Sequence, residues 1–108
     1  MPTYLCLLRL RDPEILEHMT PAQERIMEAH FSRLQRDVQA GIVLLAGPCT
    51  DGAFGIVVYE AASDEAAQAY VDADPAVETG LMGAEIHPFR VSLMRGRADP
   101  PSDPGTGA

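Results

Sequence analysis

Residues 4–10 read Tyr4-Leu5-Cys6-Leu7-Leu8-Arg9-Leu10. In an extended strand successive side chains alternate between the two faces. Tyr4, Cys6, Leu8 and Leu10 therefore share one face, while Leu5 and Leu7 share the other. A strand that is apolar on both sides belongs inside a sheet covered twice. Residues 54–59, Phe54-Gly55-Ile56-Val57-Val58-Tyr59, have the same character. The aliphatic, β-branched run at residues 42–46 precedes them. Gly47-Pro48 closes that run and Thr50-Asp51-Gly52 supplies turn chemistry, so the two runs are expected to form a hairpin.

Between the first strand and this hairpin, Thr20-Pro21-Ala22-Gln23 is a helix start. Thr20 can cap, Pro21 suits the first helical position, and Gln23 completes a capping box. The helix is expected to run to about Ala40, with Gly41 as its stop. Met27, Phe31, Leu34 and Val38 step by four, three and four and form its expected apolar stripe. Residues 12–19 between strand and helix are polar and mixed, and read as a loop with room for a helical turn. Ser63 caps a second helix whose first turn carries Asp64 and Glu65, where acids suit the helix dipole. Ala66, Ala67, Tyr70 and Val71 form its buried stripe until Asp74-Pro75 interrupts it. A last strand is expected at residues 85–93. Pro88 lies within it, and that places the strand at a sheet edge.

The order is thus β-α-β-β-α-β, the split β-α-β pattern of the ferredoxin-like α+β fold, with a four-stranded antiparallel sheet and both helices on one face. Residues 1–94 are read as one domain, and residues 95–108, rich in Pro and Gly, as a flexible tail. Two helices cover only one sheet face, and an exposed apolar face of several hundred Å² is unusual for a soluble monomer. A two-fold homodimer with sheets face to face follows as the economical solution. The other is a cover made by residues 12–19 or by the tail, and the tail is too polar for that.

Composition narrows the function class. A net charge of −8 disfavours nucleic acid and anionic membrane surfaces as partners, since both call for clustered Lys and Arg. An apolar fraction of 46% is too high for a disordered chain. No apolar run approaches the ~20 residues of a membrane span. Cys6 and Cys49 lack metal-ligand spacing and no signal peptide is recognised, so a cytoplasmic protein with reduced thiols is expected. Both cysteines read as small core residues.

No phosphate-binding loop, nucleophile elbow, dinucleotide fingerprint or zinc-protease motif is present. Two polar residues are nevertheless oddly placed. His30 falls on the flank of the first helix's stripe, as a boundary residue or as one that reaches a pocket. Asp74 lies four residues after Tyr70 and three after Val71, so it continues the buried stripe of the second helix. A buried carboxylate there must find a donor or a cation. Asp74 before Pro75 is also a good N-cap. His18 and His87 lack i, i+4 spacing or an acidic ligand pattern, which argues against a metal site. Asp72 and Glu78 read as solvated surface charges.

Several of these features occur together in a familiar order. They are His30-Phe31-Ser32-Arg33-Leu34, Leu45-Ala46-Gly47-Pro48, Gly55, Ala66-Ala67, Asp74-Pro75, Gly80-Leu81 and Pro88-Phe89. Over residues 1–93 the chain resembles the YCII-related family of the dimeric α/β-barrel superfamily. That resemblance implies a face-to-face dimer and a histidine–aspartate active pair, here His30 and Asp74. It also implies a small-molecule enzyme of lyase or isomerase type, with a dehydrochlorinase-like activity on hydroxylated aromatics in one branch. The family's HxxYL pattern has Arg33 where its tyrosine stands. The first functional expectation is therefore cofactor-free proton transfer by His30, oriented by Asp74, on an unknown small molecule. The second is a non-catalytic ligand-binding or interaction module of the same fold. The third is that both residues serve only the fold.

Overall fold

The computed structural model describes residues 1–96 of the chain, so the expected tail at residues 95–108 lies almost wholly outside the described residues. Its strands are β1 (Thr3–Leu10), β2 (Val43–Pro48), β3 (Gly55–Glu60) and β4 (Met82–Phe89). Its helices are α1 (Pro21–Gln39), α2 (Asp64–Asp72) and the four-residue α3 (Pro75–Glu78). A short 3-10 turn, Pro13–Glu17, follows β1 with Asp12 as its cap, and buries none of its own residues. The sheet order is β2-β3-β1-β4, with every neighbouring pair antiparallel. This is the α+β, ferredoxin-like arrangement.

The helix ends follow from local chemistry. Thr20 and Gln23 form a reciprocal capping box, satisfying two backbone donors that would otherwise lack partners. Gly41 ends α1 in the left-handed region, at φ 81°, which glycine adopts without steric cost. Ser63 caps α2 through the Ala66 N–H.

Pairing sets the faces. Cys6 stands opposite Val57 on one side and Ile86 on the other, and Tyr4 stands opposite Tyr59. These residues share the helix face with Leu8 and Val43, and pack with Leu34, Ala67, Val71 and Ala76 into the core. Leu5 stands opposite Val58 and Leu7 opposite Ile56, so these four occupy the face turned away from the helices. Leu45, also opposite Val58, is 51% exposed on that face.

Three expectations need correction. The last strand occupies Met82–Phe89 rather than residues 85–93. Its pairing with β1 starts at Met82, opposite Leu10, and ends at Phe89, opposite Thr3, because β1 has no residues left to pair beyond that point. Its edge position, with Pro88 inside it, is as expected. β2 runs on through Gly47 to Pro48, opposite Gly55, which an edge strand tolerates. The third correction concerns α1. Phe31 is 60% exposed and Val38 46%, whereas the residues it buries are His30, Leu34 and Asp37. At about 100° per residue, Phe31 and Val38 lie to one side of a face centred on His30. Polar residues occupy that centre because the facing elements supply their partners.

Candidate active site

α1 presents His30, Arg33, Leu34 and Asp37 along one face, at the i, i+3, i+4 and i+7 positions that line up on a helix. Opposite them are Tyr70 on α2 and Asp74 at the start of α3. The fold thereby joins residues that lie 44 positions apart.

His30 Nδ1 lies 2.8 Å from both carboxylate oxygens of Asp74. The single Nδ1 proton is shared between them. Asp74 Oδ1 also accepts the Ala76 N–H at 2.9 Å, so Asp74 caps α3 while it holds the imidazole. Arg33 Nη1 stands 3.5 Å from Asp74 Oδ2, long for a hydrogen bond and better described as a charge contact. The pair is buried, with side chains 11% (His30) and 6% (Asp74) exposed. Burial alone would raise the Asp74 carboxyl. The hydrogen bond and charge of His30, the Ala76 N–H and the Arg33 charge outweigh it, and the net shift is downward. Asp74 is therefore ionised and can only accept, which assigns the Nδ1 proton to His30. Among the described residues no buried side-chain nitrogen or oxygen lacks a partner. Nε2 of His30 makes no bond to any of them, so it is the atom through which the ring reaches solvent.

Arg33 is held twice more. It donates from Nη2 to the Tyr70 carbonyl at 2.6 Å, and its guanidinium lies over the Tyr70 ring at 4.1 Å. Tyr70 in turn stacks on Tyr59 at 4.8 Å, and Tyr59, fully buried, donates to the Ala67 carbonyl. The Tyr70 hydroxyl donates to Asp37 Oδ2 at 2.5 Å, and Arg36 Nε donates to Oδ1 at 3.0 Å. These donors and the nearby Arg33 charge offset the burial of Asp37 and leave its carboxyl below the usual range. Both buried carboxylates are thus saturated by the protein's own donors.

A cavity of about 10 Å³ adjoins the cluster, lined by Cys6, Leu8, Arg33, Leu34, Tyr70 and Asp74 among others. That is room for one water molecule. It leaves no room for a small organic molecule beside the cluster. Cys6 lines this cavity, but burial first and then the Asp74 charge push its thiol up to about 11. It is a core thiol and a poor nucleophile at neutral pH.

The other histidines lie apart. His18 is exposed at the end of the 3-10 turn. His87 sits on the sheet face away from the helices, 2.5 Å from Glu85. Among the described residues no three of His, Cys, Asp and Glu are placed to share a metal ion, and no helix is long and apolar enough to cross a membrane. Sequence reading did not find Asp37 or Tyr70 as members of the cluster. The i, i+3, i+7 spacing of His30, Arg33 and Asp37 held the signal, hidden by a stripe drawn through Phe31 and Val38.

Comparison with known proteins agrees with this fold. No curated protein matches the chain. Among solved structures, 5-chloro-2-hydroxyhydroquinone dehydrochlorinase from Burkholderia phenoliruptrix AC1100, in complex with 2,5-dihydroxybenzoquinone, is similar with a TM-score of 0.61 and 18% identity. That similarity covers 81% of this chain and 93% of the dehydrochlorinase. At this identity the likeness concerns the fold. The sequence pattern of the YCII-related domain matches residues 3–90, most of the 108-residue chain, and the chain belongs to the YCII-related family.

Proposed function

We propose that this protein is a small-molecule enzyme of lyase or isomerase type, in which His30 transfers a proton through Nε2 and Asp74 holds the ring. The observation that carries this reading is the buried Nδ1 contact to Asp74, 2.8 Å to each oxygen, with Nε2 turned outward. Histidine suits proton transfer near neutral pH. A carboxylate on Nδ1 fixes the tautomer that leaves a lone pair on Nε2 and stabilises the imidazolium once that lone pair takes a proton.

An elimination would run as follows. Nε2 takes a proton from the substrate, the released electron pair forms a new double bond, and the leaving group departs with its own bonding pair. His30 then returns the proton to solvent. In an isomerisation the same nitrogen would return it to a different atom of the substrate. Neither course calls for a cofactor. The similar solved structure is a dehydrochlorinase that carries a dihydroxybenzoquinone, which makes hydroxylated, halogenated aromatics the first substrates to try.

The working form is proposed as a homodimer packed through the sheet face that carries Leu5, Leu7, Leu45, Ile56 and Val58. A cytoplasmic setting suits its two free thiols. The competing reading, in which the pair serves only the fold, draws on the Asp74 cap of α3.

The test is chloride release from 5-chloro-2-hydroxyhydroquinone and related halogenated hydroxyaromatics by wild type and His30→Gln. Loss of a general acid–base costs about 10²–10⁴-fold in rate, and a fall of that size in a folded variant is expected. A His30→Gln protein as active as wild type, or a wild type inert across the series, would contradict the reading.

A further inference from the structure

Both buried carboxylates of the cluster are occupied by the protein's own donors, which leaves the bare Nε2 of His30 and one N–H of Arg33. Asp74 Oδ1 is taken by His30 and the Ala76 N–H, and Oδ2 by His30 with Arg33 beside it. Asp37 is taken by Tyr70 and Arg36. Arg33 spends one Nη2 proton on the Tyr70 carbonyl, and its Nη1 faces Asp74. Its Nε–H has no partner among the described residues. Because none of their buried polar atoms is left unpartnered, that N–H reaches solvent, as His30 Nε2 does. The imidazole and the guanidinium lie side by side, since both touch the same Asp74 oxygen. Their stems stand one helical turn apart, about 5–6 Å between Cβ atoms. Arg33 is also fixed in place by the Tyr70 ring beneath it, so little side-chain freedom remains to be lost on binding.

We infer that Arg33 is the residue that selects the substrate, and that the substrate is a small organic anion. It would carry a carboxylate, phenolate or enolate oxygen on Arg33 and, on a neighbouring atom, the proton that His30 takes. The inference rests on the proton-transfer reading of His30 and names the substrate class for that same site. A guanidinium pairs with an oxyanion through charge-assisted hydrogen bonds, about twice as strong as those between neutral groups. A neutral compound of the same shape would cover the remaining Nε–H without giving it a charged acceptor.

The experiment is calorimetric titration at pH 7.5 with 2,5-dihydroxybenzoquinone, whose hydroxyls are ionised there, and with its neutral dimethyl ether. The expected result is that wild type prefers the anion by about tenfold or more, the scale of a hydrogen bond to a charged group. Arg33→Met should erase the preference and Arg33→Lys should keep part of it. If Arg33→Met does not fold, Arg33→Gln, which keeps an N–H without the charge, takes its place. Equal binding of the two compounds, no binding of the anion, or an undiminished preference in the uncharged variant would overturn the inference. Arg33-dependent preference alongside full turnover in His30→Gln would sink the proton-transfer reading alone. Turnover that depends on His30 without any anion preference would sink this one alone.

Discussion

Among the described residues, only one ring nitrogen of His30 is free of the protein's own groups, because Asp74 occupies the other. The carboxylate is itself tied to the Ala76 N–H and to Arg33, so its charge carries stability. Its folded-state pKa lies below its ordinary value. The contribution is therefore fully present above the unfolded carboxylate pKa of about 4 and disappears as pH falls through the lower folded value. Asp37 acts in the same direction. For Asp74→Asn, the α3 cap survives, because Asn caps about as well as Asp. Arg33 and His30 lose their counter-charge, however. The variant is expected to be less stable at pH 7 by about 1–3 kcal/mol and to lose less stability than wild type between pH 5 and pH 3. Denaturant melts across that range measure both. A variant as stable as wild type at pH 7, with the same acid limb, would leave Asp74 only its capping role. For Tyr70→Phe, the hydroxyl donor to buried Asp37 is lost while the ring under Arg33 remains. A cost of about 1–3 kcal/mol is expected for the carboxylate left short of a partner, read from the same melts. A silent variant would contradict it.

At the scale of elements, helix starts were legible in the sequence and helix faces were less so. Thr20, Gln23 and Ser63 cap where their residue types say they should, because capping is a local contest between a side chain and the nearest backbone N–H groups. Ser63→Ala should cost about 1 kcal/mol in thermal stability, and an unchanged melting temperature would show that α2 does not rely on this cap. The buried face of α1 was misread, since a hydropathy stripe ranks Phe31 and Val38 above His30 and Asp37. What decides the matter is the partner each polar residue finds across the fold, in Asp74 and Tyr70, and those partners lie far away in sequence. The register of β4 shows the same limit. Its bounds are set by the length of β1, and nothing within residues 82–93 marks them.

At the scale of the molecule, the doubly apolar character of β1 and β3 pointed to their place inside the sheet and to a second apolar face. The helix side covers Tyr4, Cys6, Leu8, Val57 and Tyr59. Opposite them Val58 is buried at the centre of the face, Leu5, Leu7 and Ile56 are half-buried and Leu45 is 51% exposed, and the 3-10 turn after β1 contributes no buried residue to cover them. If two chains pack through this face, sedimentation at micromolar concentration shows a dimer, and Leu45→Glu shifts it toward monomer with little loss of fold. A wild-type monomer under those conditions would contradict the assembly.

Whether His30 presents a bare Nε2 because Asp74 holds Nδ1–H can be read from the ring nitrogens themselves. Nitrogen-detected NMR of the histidines, recorded through neutral pH, reports which ring nitrogen carries the proton. In neutral His30 the proton is expected on Nδ1, which faces the Asp74 carboxylate, with Nε2 unprotonated. Neutral His30 carrying its proton on Nε2 would contradict the assignment of that nitrogen as the base.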